Sequence, residues 1–345
     1  MAQKHALNTR RRAVVFAYHN VGVRCLKVLL DADVDVALVV THEDSSTENI
    51  WFGSVSKLAA EESIRCITPT DPNSDEVIAI VATLQPDFIF SFYYRQMLSE
   101  TLLKLPIHGA FNMHGSLLPH YRGRAPVNWA VLHGERVTGA SLHYMVAKPD
   151  AGDLVAQTAV PILKNDTAGE VFEKVTVAAE MTLWKVLPDL LALKAPREPL
   201  DLKSGSYFGG RKPEDGRIDW HADIAAAHNL IRAVAPPYPG AWFDLRGHRF
   251  EVHEARPVSL READLPSASR LLPDPTLYVD GESVSVLWPT ATARATTELS
   301  ADSTAALRLL KILHAGRPCP ATRLRELLSV TDARALIALC EDNSS

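Results

Sequence analysis

Between residues 13 and 113 the chain alternates short apolar, β-branched runs with amphipathic stretches, and few architectures accommodate that rhythm. "AVVFAY" (13–18) reads as a buried strand, "VGVRCLKVLLDAD" (21–33) carries apolar residues at helical spacing, and "VDVALVV" (34–40) returns to strand. The cycle continues through a predicted helix over 51–63, a strand at 64–68, a helix over 74–84, the strand "DFIFSF" (87–92), a helix over 96–104 and the strand "HGAFNM" (108–113). This alternation predicts an α/β, Rossmann-like, mostly parallel sheet with helices on both faces. Such sheets bind ligands at the carboxyl ends of their strands. Tyr18, His19 and Asn20, then Tyr93, Tyr94 and Arg95, then Asn112 and His114 all fall there.

Beyond residue 138, "GASLHYMVAKPDAGDLVAQTAVPI" (139–162) reads as two strands joined by "AKPDAGD", followed by a long helix over about 167–193. The stretch around 196–214 is rich in Gly, Pro and charge and reads as a linker. After it come a helical stretch at 222–234 and several short strand-like runs between turns, which predict a small, OB-like β-barrel. The expected organisation is a tail at 1–12, an α/β domain at 13–195, a linker at 196–214, a C-terminal domain at 215–330 and a tail at 331–345.

A net charge of −5 and a pI near 6.2 give no general attraction to nucleic acid or to an anionic membrane surface. The N-terminal apolar run is too short for a signal-peptide core, and no run of 18 apolar residues occurs. Four cysteines, Cys25, Cys66, Cys319 and Cys340, lack CxxC spacing and predict reduced thiols rather than a metal site or a disulfide framework. A cytoplasmic protein is the expectation; the sequence leaves its oligomeric state open and is compatible with a homo-oligomer.

The stretch "FNMHGSLLPHYRGRAP" (111–126) carries the chemistry. Asn112 and His114 are two apart, so on an extended backbone their side chains share one face. The Asn amide offers uncharged N–H donors suited to a carbonyl oxygen that becomes negative under attack. His supplies a proton acceptor near neutral pH, and a carboxylate is needed to orient it. Asp150 and Asp153, in "KPDAGD", are both candidates. Ser116 does not stand in a G-x-S-x-G elbow, so direct acyl transfer to an amine is expected rather than a covalent intermediate.

"FNMHGSLLPHYRGRAPVNWAVLHGE", with "DAGDLVAQ" beginning 36 residues after His114, resembles the 10-formyltetrahydrofolate-dependent formyltransferases. "EDGRIDW" (214–220), "NLIRAVAPPYPGAW" (229–242) and "LRLLKILHAGRPCPATRLREL" (307–327) extend the resemblance over nearly the whole chain. It implies that Asn112, His114 and Asp150 form the catalytic triad. It also implies that the folate co-substrate lies against Tyr93, Tyr94, Arg95, Gln96, Met97, Leu98 and Pro149, with no metal. "VVFAYHNVG", "FGSVSKLAAE", "FSFYYR" and "LLPHYRGRAPVNW" are most similar to the formyltransferase domains of the bifunctional aminoarabinose enzymes of lipid A modification, which formylate UDP-4-amino-4-deoxy-L-arabinose. Those enzymes continue into an NAD-dependent decarboxylase. This chain ends at Ser345 without a second GxGxxG unit, so a stand-alone formyltransferase is expected.

The main alternative acceptor is methionyl-tRNA, with a dTDP-linked amino sugar or a hydroxyornithine behind it. Methionyl-tRNA formyltransferases carry a basic insertion after the second strand. Here "THEDSSTENIWFGSV" (41–55) holds Glu43, Asp44 and Glu48 and no Lys or Arg, which opposes phosphate binding. Small molecules, a folate and a nucleotide-sugar, are therefore the expected partners. Arg122 and Arg124 of "YRGR" are expected to grip a diphosphate, with Tyr18, His19, Ser116 and Arg211 as further substrate contacts. His133, His143, His228, His248, His253 and His314 show no ligand-like spacing and read as surface or satisfied interior groups, and Trp129 and Trp242 as core.

Overall fold

The structure is a computed structural model that describes residues 10–45, 49–261, 265–266, 269, 272–289 and 303–339. The chain forms two compact units. One comprises the described residues up to Val127, Val137–Pro161 and Phe172–Gly210. The other comprises Asn128–Arg136, Ile162–Val171 and the described residues from Arg211 on.

In chain order the first part runs β1 (Arg12–Ala17), α1 (His19–Asp31), β2 (Asp35–Val40), α2 (Val55–Glu61), β3 (Cys66–Ile67), α3 (Asp75–Leu84), β4 (Phe88–Phe92), α4 (Glu100–Leu103) and β5 (Ala110–His114). Then follow β6 (Arg122–Gly123), α5 (Pro126–Leu132), β7 (Val137–Tyr144), β8 (Leu154–Pro161), α6 (Ala168–Leu191) and β9 (Tyr207–Phe208). The main sheet has the order β3-β2-β1-β4-β5-β7-β8. Its first five strands are parallel, and β7 and β8 add antiparallel to β5 and to each other. The central strands β1 and β4 are buried almost end to end, as strands covered on both faces must be. That is why "AVVFA" and "FIFSF" read as continuous apolar runs rather than alternating ones.

Serine caps set the helix starts. The side chains of Ser54, Ser74 and Ser99 accept from the backbone N–H groups of Lys57, Val77 and Leu102, each satisfying one orphan donor at the head of α2, α3 and α4. Asp75 and Glu76 follow Ser74 in the first turn of α3, where the helix dipole favours negative charge. The cap at Ser99 also explains why the helix expected over 96–104 shrinks to one turn. Residues before it are held as a loop by other bonds: Arg95 N–H donates to His42 Nε2 (3.1 Å), the Gln96 amide to the Thr70 carbonyl (3.0 Å), and the Asn73 amide to the Met97 carbonyl (2.9 Å).

The second part contains α7 (Ile224–Val234), β10 (Ala241–Leu245), β11 (His248–Arg261), β12 (Thr276–Asp280), β13 (Ser283–Leu287), β14 (Ser303–His314), β15 (Arg317–Pro318), α8 (Ala321–Leu327) and β16 (Arg334–Ala338). It makes a curled antiparallel sheet of order β10-β11-β14-β13-β12-β16, the half-barrel form of the expected small barrel. Asp223 caps α7 by accepting from Ala226 N–H, and the apolar face of α7 (Ile224, Ala227, Ile231) packs with Trp220, Phe243 and Phe250.

Two stretches expected to be irregular are ordered. The chain past residue 330 forms β16, which pairs with β12 and buries Ile337. Its run "RALIA" is too short to stand out from a tail until a partner strand supplies the hydrogen bonds. Within the expected linker, Tyr207 and Phe208 pair with Arg122 and Gly123, and Glu198 bridges Leu154. Among the described residues no helix is long and apolar enough to cross a membrane, and Cys25, Cys66 and Cys319 are free thiols.

Candidate functional site

The carboxyl ends of β4 and β5 open into a cavity of about 370 Å³ in the first unit. Register explains what gathers there. Ser91 of β4 stands beside Asn112 of β5, and antiparallel pairing of β5 with β7 sets Asn112 opposite His143. The loop between β7 and β8 carries Asp150 back over these residues.

Asp150 is the hub. Its Oδ1 lies 3.5 Å from His114 Nδ1, 3.4 Å from His143 Nε2 and 3.3 Å from Asn112 Nδ2, while its Oδ2 accepts from Gly123 N–H at 2.9 Å. Burial pushes this carboxyl up. The neighbouring His114, the hydrogen bond and charge of His143 and the Gly123 N–H outweigh that and hold it well below the usual carboxylate range. Asp153, the other carboxylate weighed from sequence, points elsewhere and pairs with Arg197 at 2.7 Å.

The histidines have assigned faces. A carbonyl oxygen only accepts, so His114 must carry its proton on Nε2, where Tyr121 C=O lies 2.8 Å away. Its Nδ1 is then the basic nitrogen, and it faces Asp150. His143 likewise donates from Nδ1 to the Tyr144 carbonyl (2.8 Å); its Nε2 accepts from the Asn112 amide (3.1 Å) in the neutral ring and donates to Asp150 Oδ1 (3.4 Å) only when the ring is protonated. His143 was read from sequence as a satisfied or surface group. It is a buried group with both ring nitrogens bonded, the interior half of that reading, and it also belongs to the polar cluster around Asp150. Its position opposite Asn112 and seven residues before Asp150 is the signal that would have found it, but only once β5 and β7 are known to pair.

Four of the twelve non-glycine residues with positive φ among the described residues lie at or beside this cavity. Tyr93, Tyr121, Ala125 and Asp150 all adopt positive φ (57, 56, 51 and 47°), a region side chains normally avoid. At Gly115 a Cβ would lie 1.8 Å from the Tyr93 hydroxyl, so a larger residue there displaces that ring. Gly123 is required twice over, by a φ of 98° and by the Phe208 carbonyl, 2.2 Å from where a Cβ would stand. The glycine of "YRGR" is thus the residue that brings a backbone N–H onto Asp150, rather than a flexible joint between two arginines. Gly123→Ala is expected to cost about 1–3 kcal/mol of stability through backbone strain and the β6–β9 clash. Thermal unfolding checks this; an unchanged midpoint would refute it.

Tyr93, Tyr94, Arg95, Gln96, Met97 and Pro149, expected around a co-substrate, line the cavity together with Val146, Arg124 and Tyr207. Leu98 does not: it is buried in the apolar cluster beside Leu102 and Val77, where an aliphatic side chain belongs. Tyr94 stacks on His42 (4.1 Å, 17°), and its hydroxyl is buried without a hydrogen-bond partner among the described residues. Burial, with Asp71, pushes that phenol up to about 12.

The expected substrate contacts divide. Arg124 lines the cavity, whereas Arg122 is buried on β6 and does not. Ser116 is fully buried and donates to the His120 carbonyl (2.6 Å), closing the turn after β5. Tyr18 and His19 lie outside the cavity lining in an aromatic group. Tyr18 donates to Asp44 (2.8 Å) under the Arg95 guanidinium (4.6 Å), and His19 stacks on Phe52 (3.9 Å). Arg211 belongs to the second unit, where it lies over Trp129 (4.8 Å) and donates to the Asp215 carbonyl. Of the acidic loop, Glu43 accepts from Thr68 (3.3 Å), Asp44 holds Tyr18, and Glu48 lies outside the described residues. Among the described residues no group of three or more His, Cys, Asp or Glu side chains is arranged to hold a metal ion.

A protein-family model described as "Formyl transferase" matches residues 17–187, and a second, "Formyl transferase, C-terminal domain", matches residues 211–287. Among solved structures, the chain is similar to a sugar 3N-formyl transferase, WlaRD, determined in the presence of dTDP and 5-N-formyl-THF (16% identity, 87% of this chain and 97% of that one, TM-score 0.63). It is similar to an N-formyltransferase from Helicobacter canadensis in complex with folinic acid and dTDP-3-aminofucose (17% identity, 87% and 99%, TM-score 0.62). A 4-N formyltransferase from Francisella tularensis shares 22% identity over 69% of this chain and 95% of that one, with a TM-score of 0.57. At these identities the likeness is one of fold.

Proposed function

The chain belongs to the formyltransferase family, and on that premise we propose that it transfers the formyl group of 10-formyltetrahydrofolate to the amine of a nucleotide-linked amino sugar. The observation that carries this reading is the cluster of Asn112, His114 and Asp150 in a cavity that is also lined by aromatic and aliphatic side chains and by Arg95 and Arg124. A planar heteroaromatic co-substrate fits Tyr93, Tyr94, Met97, Val146 and Pro149, and its reactive end then falls beside the polar cluster.

The residues divide the work as follows. When bound, the folate supplies an activated formyl carbon. His114 Nδ1 takes the proton that the amine loses as it attacks that carbon, the Asp150 carboxylate stabilises the resulting imidazolium, and His114 returns the proton to the folate nitrogen as its bond to the formyl carbon breaks. Asn112 exchanges its hydrogen bond to His143 for one to the formyl oxygen, which becomes a stronger acceptor as negative charge develops. Gly123 N–H donates to Asp150 and keeps it oriented throughout. Of the two arginines that line the cavity, Arg124 is assigned to a diphosphate, since Arg95 lies over the Tyr18 ring; Arg122 is not assigned that role, being buried on β6.

UDP-4-amino-4-deoxy-L-arabinose is the first acceptor to test, from the resemblance of the segments around 14–22, 52–61 and 117–129. The dTDP-linked amino sugars follow, because structural neighbours were solved with dTDP or dTDP-3-aminofucose. The acidic residues after β2 weigh against methionyl-tRNA. Each acceptor is incubated with 10-formyltetrahydrofolate and the mass gain of one formyl group is read. The expected result is formylation of a nucleotide-sugar and none of methionyl-tRNA. Formylation of the tRNA alone would overturn the assignment of acceptor.

A further inference from the structure

The second unit contains a larger cavity, about 680 Å³, whose polar lining is almost entirely made of donors. Arg136 and Lys164 are exposed and make no ion pair or side-chain hydrogen bond among the described residues. Asn229 Oδ1 accepts from Arg232 (2.8 and 3.0 Å), and its amide nitrogen makes no hydrogen bond among the described residues. Arg232 is only 6% exposed and is held by neutral acceptors: Asn229 Oδ1 and the carbonyls of Asp166 (3.1 Å) and Val131 (3.2 Å). No carboxylate forms an ion pair with it among the described residues; the charge of Asp166 offsets only part of the effect of its burial. Buried charges are ordinarily paired, because removing an unpaired one from water is costly.

His228 completes the lining. It is 4% exposed, and its Nε2 is buried without a partner. Burial, and then the charges of Arg232, Arg256 and Lys164, push it down to about 4, so it stands neutral at pH 7. Acidic groups nearby are few and occupied. Glu135 lines the cavity and has a partner; Asp166 accepts from Leu163 N–H; Glu254 pairs with Arg256 at 3.0 Å.

We propose that this cavity is a binding site for a compact phosphate-bearing anion, separate from the formyl-transfer cavity. Its oxygens would take the unused donors of Arg136, Lys164 and Asn229 and compensate the buried Arg232 charge. The cavity has the size of a small-ligand site, and the chain's net charge of −5 does not favour a polyanion. Free phosphate and the phosphoryl groups of a nucleotide present the same chemistry, and the experiment separates them. None of this depends on which amine is formylated.

The test follows the imidazole resonances of His228 by NMR on the full chain, assigned with His228→Gln, across a pH titration. Inorganic phosphate is one arm and UDP the other. The sign is fixed by charge: an anion beside His228 favours its protonated form, so its midpoint must rise on binding. The expected result is such a rise with phosphate, and binding weakened at least about tenfold in Arg136→Ala/Lys164→Ala, both exposed side chains. A rise at lower UDP than phosphate concentration identifies the nucleotide as the ligand; equal or weaker action of UDP identifies free phosphate. A His228 titration that neither anion moves, or undiminished binding in the double variant, overturns the site whether or not formyl transfer is observed.

Discussion

His114→Ala is expected to reduce single-turnover formyl transfer by about 10²–10⁴, the usual worth of a positioned base. Asn112→Ala should reduce it by about 10²–10³, the worth of one preorganised oxyanion donor. The two should not multiply in the double variant, because both act on one reaction centre and share Asp150 as a partner. The His114 side chain is 7% exposed and bonded to the Tyr121 carbonyl, so its removal also leaves a buried acceptor unsatisfied, costing about 1–3 kcal/mol. Far-UV circular dichroism and thermal unfolding must therefore show a folded protein before the rate is read. Turnover near that of the parent in both single variants would sink the assigned roles. A loss confined to KM would mean that these groups only bind.

Sequence reading succeeded where one local pattern decides the outcome. The parallel sheet follows from buried runs such as "FIFSF" at the period of a βαβ unit, and Asn112 and His114 follow from position at a strand end. It failed where a residue's meaning comes from a distant partner. His143 is one polar residue in a β-strand until β7 is laid against β5. Arg122 and Arg124 look equivalent in "YRGR", yet β6 pairs with β9, burying the first while the second reaches the cavity. Leu98 adjoins the cavity-lining loop in sequence, but its side chain belongs to the apolar cluster. Ser116 closes its own turn. His228 reads from sequence as a surface or satisfied interior group, and its unpartnered nitrogen shows only in three dimensions.

Asp150→Asn tests the electrostatic centre of the site while changing little of its shape. Asparagine keeps an acceptor for Gly123 N–H but removes the charge that compensates an imidazolium on His114. Formyl transfer is expected to fall by about 10²–10⁴, without loss of the fold. The pH dependence supplies the sign. Burial raises the Asp150 carboxyl, and His114, His143 and Gly123 N–H more than reverse this, so the folded state binds its proton more weakly than the unfolded chain does. Its contribution to stability is therefore full above the unfolded carboxylate value of about 3.9 and is lost as pH falls through the lower folded value. Two consequences separate a charge effect from a packing effect. An acid limb of kcat/KM near neutrality in the parent cannot be the titration of Asp150, which stays ionised throughout that range. Thermal unfolding below about pH 4 should also be less steeply pH-dependent in the variant than in the parent, since one proton-linked term has been removed. A variant of undiminished rate would show that the carboxylate is not required beside His114. A variant of low rate with unchanged acid sensitivity would assign Asp150 to shape rather than charge.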